Sequence, residues 1–159
     1  MSDEVPLVTY RGRVLDAWID INGHMNARYY SAVIYDAHVA LTDYLGLGDD
    51  YVARTGCGKA VVESHLLYER ELKRADPIEV RSWLLAVDAK RLHFFHELMH
   101  TTAGYRAAAG EQLDIHIDLG LRRSAPFAED TLRRLQAVAA RHAAVPRPPG
   151  VGRSIAMRR

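Results

Sequence analysis

One long amphipathic helix with clear ends constrains the fold of this chain more than any other feature. Apolar residues recur at i, i+3, i+4 and i+7 from Tyr30 to Leu45, so one face of the helix is apolar over about four turns. Asn26 is a suitable N-cap, and Gly46 stands where a left-handed glycine would end the helix. The pattern therefore predicts a helix that begins after Asn26 and ends at Leu45.

A tight polar turn containing Asp20, Asn22, Gly23 and His24 comes immediately before the cap. The N-terminus of a helix offers unpaired N–H groups and a partial positive charge. The turn thus holds a carboxylate and an imidazole beside a site that can receive the oxygen of a carbonyl as it becomes negative.

Length and charge exclude several classes of protein. A chain of 159 residues with 48% hydrophobic residues suits one domain, which we place at residues 1–143. The extended tail, residues 144–159, carries four arginines and no acid and leaves a net charge of about −3 on the body, which argues against a nucleic-acid partner. Cys57 is the only cysteine, and neither a membrane span nor a signal segment is recognisable. We expect a cytoplasmic protein.

The order of elements predicts an α+β fold with an antiparallel sheet. Strands are predicted at 7–15, 59–72, 78–87, 92–101 and 111–121, and a short second helix at 129–142. Four of the strands follow the long helix and are mostly joined by hairpins. One long helix against a five-stranded sheet is the hot-dog arrangement.

The motif Asp20-x-x-Gly23-His24-x-Asn26-x-x-x-Tyr30 resembles the signature of hot-dog acyl-CoA thioesterases of the 4-hydroxybenzoyl-CoA thioesterase type. The resemblance implies a homodimer or a dimer of dimers with active sites between subunits, an acyl-CoA substrate and no cofactor. It also implies that Asp20 acts as base or nucleophile, with the amides near Asn26 and Ala27 polarising the carbonyl. His24 either orients Asp20 or binds substrate, or is simply a turn histidine bonded to the backbone.

Four short segments resemble a narrower group, the betainyl-CoA thioesterases of bacterial carnitine breakdown. They are residues 18–24, 63–65, 90–93 and 152–155. The resemblance implies a small acyl group and places Asn22 and His65 among the substrate contacts. The family's Asp-Thr-Asp lead-in is here Trp18-Ile19-Asp20, so only the second acid is present.

Other candidate side chains each have an ordinary structural explanation as well. Glu63, in an apolar strand, suits a general acid or base if buried, but equally an edge charge facing water. His116 either lines a pocket or is exposed. Trp18, Tyr29 and Tyr30 either pack in the core or hold a trimethylammonium group by cation–π attraction. Four basic residues near strand ends either bind the phosphates of coenzyme A or are simply exposed to water: Lys90, Arg91, Arg122 and Arg123.

The sequence His96-Glu97-Leu98-Met99-His100 matches a zinc-hydrolase pattern that works only on a helix. The surrounding residues predict a strand, which would separate the two histidines by about 13 Å. That is too far for two ligands of one zinc ion, and we expect no metal. Zinc hydrolase remains one alternative function, beside a non-catalytic acyl-CoA-binding hot-dog protein and a hot-dog dehydratase.

Overall fold

A five-stranded antiparallel sheet carries one long helix in the computed structural model, which describes residues 5–157. The strands are β1 Leu7–Arg13, β2 Cys57–Tyr68, β3 Pro77–Val87, β4 Arg91–His100 and β5 Tyr105–Asp118, with a two-residue β6 Arg123–Ser124. The helices are α1 Ala27–Tyr44, α2 Asp49–Thr55 and α3 Glu129–Ala143. The predicted α+β hot-dog architecture is confirmed.

The spatial order of the strands is β1-β3-β4-β5-β2, so β1 and β2 form the two edges. The short strand β6 pairs with the end of β5. Along the free edge of β2, the apolar side chains of Val61 and Val62 are 39% and 55% exposed. A long edge strand with exposed apolar residues is a surface that another strand can cover.

Helix α1 begins and ends where the sequence predicted. The Asn26 side chain accepts a hydrogen bond from the Arg28 N–H at 3.2 Å, and Gly46 adopts a φ of 69° after the last turn. The buried face of α1 packs on the sheet through Tyr30, Val33, Ile34, Ala37 and Leu41.

A chain of buried polar side chains joins α1 to all five strands. We call it the polar chain; in order it contains Thr9, Ser82, His96, His38, Asp114 and Lys59. His38 of α1 is fully buried and is bonded to His96 at 3.3 Å and to Asp114 at 3.0 Å. Lys59 on β2 closes the chain with an ion pair to Asp114 at 2.9 Å. Because unpaired polar groups are costly to bury, these contacts fix the position of the helix on the sheet.

Strand β5 differs from its predicted course in two ways. It begins at Tyr105, directly after the predicted break at Gly104, whereas the sequence prediction started it at Glu111. The missed segment, 105–110, ends in a run of small residues, 107–110, that lets α1 approach the sheet. A Cβ at Gly110 would lie 2.8 Å from the Ile34 side chain. The alternation of apolar and polar residues from Leu113 to Gly120 predicts that the apolar side chains face the core, but here the polar residues Asp114 and His116 point inward and are buried.

The C-terminal tail crosses the sheet on the face opposite α1. The Arg106 guanidinium donates to the Pro149 carbonyl at 2.8 Å, and the Gly152 N–H donates to the Glu111 carboxylate at 2.8 Å. Val151 packs beside the sheet residues of a small apolar cluster. The described part of the tail thus contacts the surface of the sheet, and the division of the chain into a body and an extended tail stays a prediction. Across residues 5–157, none of the helices is long and apolar enough to cross a membrane.

Two buried histidines should make the fold sensitive to acid. Burial, followed by repulsion from His38, lowers the pKa of His96 to about 3, and burial lowers that of His142 to about 4, both from 6.5. Between pH 6.5 and these lowered pKa values, the two histidines are protonated in the unfolded chain but not in the folded protein. The free energy of unfolding therefore falls as pH falls. At about 1.4 kcal/mol per pKa unit, each such histidine should cost roughly 2 kcal/mol between pH 7 and pH 5. Urea unfolding at both pH values measures this loss.

The matched control is His142→Asn. The His142 Nδ1 accepts the Leu84 N–H at 2.8 Å, and the asparagine Oδ1 occupies the equivalent position and can accept the same hydrogen bond but does not titrate. The variant should therefore show a shallower dependence of unfolding free energy on pH than the wild type. An equally steep dependence in both proteins would contradict the assignment.

Candidate active site

The Asp20 side chain is held by the turn that it helps to form. Its Oδ1 accepts the Asn22 N–H at 2.8 Å, and its Oδ2 accepts the Asn26 side-chain amide at 3.2 Å. Gly23 closes the turn with a φ of 79° and donates its N–H to the Asp20 carbonyl at 3.0 Å. The carboxylate is therefore both a turn-forming group and a positioned negative charge.

These hydrogen bonds keep Asp20 ionised. The Asn22 backbone N–H is the main cause that lowers the pKa of Asp20, and the Asn26 amide and His24 act in the same direction. A carboxylate with a lowered pKa is fully charged at neutral pH but is a weak proton acceptor.

The start of α1 offers one free backbone donor beside this turn. The Asn26 N–H donates to the Trp18 carbonyl at 2.9 Å, and the Met25 N–H donates to the Leu72 carbonyl at 2.8 Å. Within residues 5–157 the Ala27 N–H has no acceptor, and Ala27 lines a cavity. Such an amide at a helix N-terminus can stabilise developing negative charge on an oxygen.

The cavity beside the helix start has a volume of about 270 Å³. We call it the helix-start cavity; its walls include His24, Ala27, Tyr30, Tyr68 and Glu71. The His24 Nε2 lies 3.6 Å from a carboxylate oxygen of Glu71. Sequence reasoning missed Tyr68 and Glu71, because they come from the end of β2 and no motif joins them to the turn.

The three aromatic candidates Trp18, Tyr29 and Tyr30 do not form one continuous surface. Trp18 stacks on Tyr29 with ring centroids 5.5 Å apart, and the Arg28 guanidinium lies 4.5 Å from the centroid of the same tyrosine ring. Tyr29 therefore already has an aromatic and a cationic partner. Tyr30 instead meets Tyr68, with ring centroids 5.6 Å apart.

Glu63 and His65 lie away from the Asp20 turn, in a cavity of about 640 Å³ on the side of the sheet that carries the tail. Glu63 is exposed on β2, so the side chain faces water in this chain. The cavity also includes His93, Arg153 and neighbouring tail residues. Three of the four segments that resemble the narrower thioesterase group thus meet here. A catalytic or substrate-binding role for Glu63 and His65 stays a prediction.

His116 is buried rather than exposed or pocket-lining. Its Nε2 is bonded to the Tyr51 hydroxyl at 2.9 Å and its Nδ1 to the Ala125 carbonyl at 2.8 Å. Both ring nitrogens are therefore occupied by structural contacts. The expectation of an exposed side chain was wrong because the polar face of β5 points toward the helices.

The basic candidates lie at the far end of the sheet from the Asp20 turn. Lys90 donates to the Ser124 hydroxyl at 3.2 Å, Arg91 pairs with Asp88, and Arg122 is exposed. Strand β5 pairs with Tyr68 near the helix start and with Arg91 seven residues later, a separation of roughly 23 Å along the strand. Asn22 is exposed at the turn. Lys90 and Arg122 thus lie at the same end of the sheet, away from Asp20 of the same subunit.

The zinc-like motif lies on strand β4, as predicted. The two ring nitrogens of His96 are bonded to Ser82 and His38, and His100 contacts Asp76 at 3.5 Å. Glu97 is paired with Arg106 at 2.6 Å. The side chains of the motif are therefore used in structural hydrogen bonds and ion pairs within the sheet.

Comparison with known proteins establishes the class. Residues 14–135 match the model of the thioesterase-like superfamily. The chain therefore belongs to this superfamily and is an acyl-CoA thioester hydrolase, as the Asp20 motif predicted.

Individual relatives narrow the comparison. The chain is 39% identical over 151 residues to the betainyl-CoA thioesterase of Pseudomonas aeruginosa, covering 95% of both chains. A crystal structure from Pseudomonas putida KT2440 is similar with a TM-score of 0.81 and 31% identity, covering 98% of this chain and 99% of that one. The Staphylococcus aureus protein SAV2348, solved with CoA, shares the fold with a TM-score of 0.87 and 24% identity over 98% of both chains.

Asp20→Asn should abolish most of the thioesterase activity while the protein stays folded. Asparagine can still accept the Asn22 N–H, so the turn is retained, but the negative charge is lost. We expect kcat to fall by roughly 10²–10⁴-fold, the contribution of a positioned base, with KM little changed. Steady-state kinetics with release of free thiol measures both constants.

Glu63→Gln is the matched control, since it removes the same charge from the other proposed carboxylate. We expect it to keep most of the activity. An active Asp20→Asn enzyme together with an inactive Glu63→Gln enzyme would show that the wrong acid was chosen.

Activity should not depend on a metal ion. The reason is the strand position and the occupied ring nitrogens of His96. Dialysis against a chelator should leave kcat unchanged. Loss of activity that added zinc restores would show that the segment had been misassigned.

Proposed function

We propose that this protein hydrolyses betainyl-CoA, or a closely similar small cationic acyl-CoA, to the free acid and coenzyme A. The observation that carries the proposal is the charged Asp20 turn beside the free Ala27 N–H at the start of α1. The similarity over 95% of the chain to a betainyl-CoA thioesterase supports the choice of acyl group.

In the proposed reaction the thioester oxygen accepts a hydrogen bond from the Ala27 N–H. Negative charge that develops on this oxygen is stabilised there by the helix N-terminus. Asp20 either attacks the carbonyl carbon or takes a proton from the attacking water. In the first route the C–S bond breaks to leave a mixed anhydride on Asp20, which water hydrolyses to the free acid and the regenerated carboxylate. In the second route water adds directly, the C–S bond breaks, and the proton taken by Asp20 is passed on to the coenzyme A thiolate. In both routes water supplies one oxygen of the free acid and the proton of the released thiol.

We further propose that the active site is completed by a second subunit that pairs along β2. Lys90 and Arg122 lie at the opposite end of the sheet from Asp20 within one subunit. In an antiparallel pairing of two β2 strands, the Cys57 end of one subunit would lie beside the Tyr68 end of the other. The basic groups of the partner would then come close enough to bind the phosphates of a coenzyme A whose thioester lies at Asp20.

The protein should therefore be a homodimer, alone or within a dimer of dimers. Val62→Lys introduces a charge into the proposed interface and should shift the sedimentation mass toward one chain and lower kcat. Met157→Lys changes an equally apolar exposed residue on the tail and should do neither. A wild-type mass near 17.9 kDa at micromolar concentration would contradict the proposal.

A panel of acyl-CoA thioesters assayed for free thiol tests the function itself. We expect the highest kcat/KM for betainyl-CoA, with lower values for acetyl-CoA and neutral branched thioesters. Binding of acyl-CoA without any release of thiol would instead indicate a non-catalytic binding protein. The cytoplasmic location expected from the sequence stays a prediction.

A further inference from the structure

The helix-start cavity adjoins the group that would hold the thioester carbonyl. Ala27, whose N–H is the proposed donor to that oxygen, and His24 of the turn both line it. An acyl group attached to a carbonyl at this position can extend into this open cavity. The volume of about 270 Å³ suits a small, bulky head group rather than a long chain.

Two tyrosines form a fixed aromatic corner in this cavity. Tyr30 and Tyr68 meet edge to face, with an interplanar angle of 78°. Tyr30 is 4% exposed, and its hydroxyl accepts the Leu72 N–H at 2.9 Å, so the ring cannot turn away. Tyr68 lines the cavity and is 54% exposed within a single chain, so its own subunit leaves the ring accessible to a ligand.

Two charged groups in the lining of this cavity lack a salt-bridge partner of permanent opposite charge among the described residues, Arg70 and Glu71. Glu69 is bonded to Arg106 at 2.7 and 2.8 Å, and the Arg70 guanidinium is held against the Tyr105 ring, 4.3 Å from its centroid. The Glu71 backbone carbonyl accepts a hydrogen bond from the Tyr105 hydroxyl, whereas its carboxylate has no lysine or arginine partner among the described residues and lies 3.6 Å from the His24 imidazole. The cavity therefore combines an aromatic corner with one carboxylate that no permanent cation neutralises.

We infer that Tyr30, Tyr68 and Glu71 form the subsite for a quaternary ammonium group carried by the acyl chain; this rests on the proposed function. A trimethylammonium group has no N–H to donate, so it is recognised by aromatic faces and by a nearby negative charge. The same corner gives a neutral group of equal shape only apolar contact. Glu71 is thus the residue that selects for positive charge.

The test compares two thioesters of the same shape, betainyl-CoA and its neutral carbon isostere 3,3-dimethylbutyryl-CoA. Glu71→Gln should lower kcat/KM for betainyl-CoA by about 5-fold, the upper end of the range for an ion pair near the surface. It should leave kcat/KM for the isostere within about 2-fold. Tyr68→Leu should likewise reduce the preference for the cationic substrate while retaining apolar contact.

The matched control is Glu129→Gln, which removes an exposed carboxylate from α3. This variant should leave kcat/KM unchanged for both thioesters. The control therefore separates a general effect of net charge from a local effect of the Glu71 carboxylate. If Glu71→Gln slows both thioesters equally, or neither, the subsite is wrong. Hydrolysis of betainyl-CoA by the wild type would still confirm the proposed substrate. If the wild type hydrolyses 3,3-dimethylbutyryl-CoA but not betainyl-CoA, both the subsite and the proposed substrate are wrong.

Discussion

The position of helix α1 depends on His38, a histidine buried between the helix and the sheet. Its two ring nitrogens are bonded to His96 of β4 and Asp114 of β5, and further members of the polar chain extend these contacts to both edge strands. Apolar packing alone would tolerate small slides of a helix, but each slide here would leave buried polar groups without partners. The polar chain therefore fixes the helix, and the N-terminus of the helix fixes the candidate active site.

Local signals in the sequence predicted most of the fold, and close packing explains what they missed. The ends of α1 were predictable because Asn26 and Gly46 act within one turn of the backbone. The beginning of β5 was not, because small residues have low strand propensity and are placed there by the approach of Ile34 to Gly110. The inward facing of Asp114 was equally hidden, since its partner His38 lies 76 residues away.

The residues of the candidate site likewise fall into a group that the sequence predicted and a group that it missed. Asp20, His24 and Ala27 are close in sequence, so a motif could identify them together. Tyr68 and Glu71 reach the cavity only through the return of β2 to the helix start, which no spacing rule predicts. The chemical centre is thus encoded locally, whereas the proposed selection of the acyl group depends on tertiary structure.

The central claim is that each active site combines Asp20 of one subunit, which acts on the thioester, with Lys90 and Arg122 of the other subunit, which bind the phosphates of coenzyme A. Heterodimers isolated from co-expressed, differently tagged chains test it, one chain carrying Asp20→Asn and the other Lys90→Glu with Arg122→Glu. Each variant alone should be nearly inactive, but one site of the heterodimer combines an intact Asp20 with an intact partner, so about half of the wild-type kcat should return. A heterodimer as inactive as its two parents would place the whole site within one subunit and contradict the account.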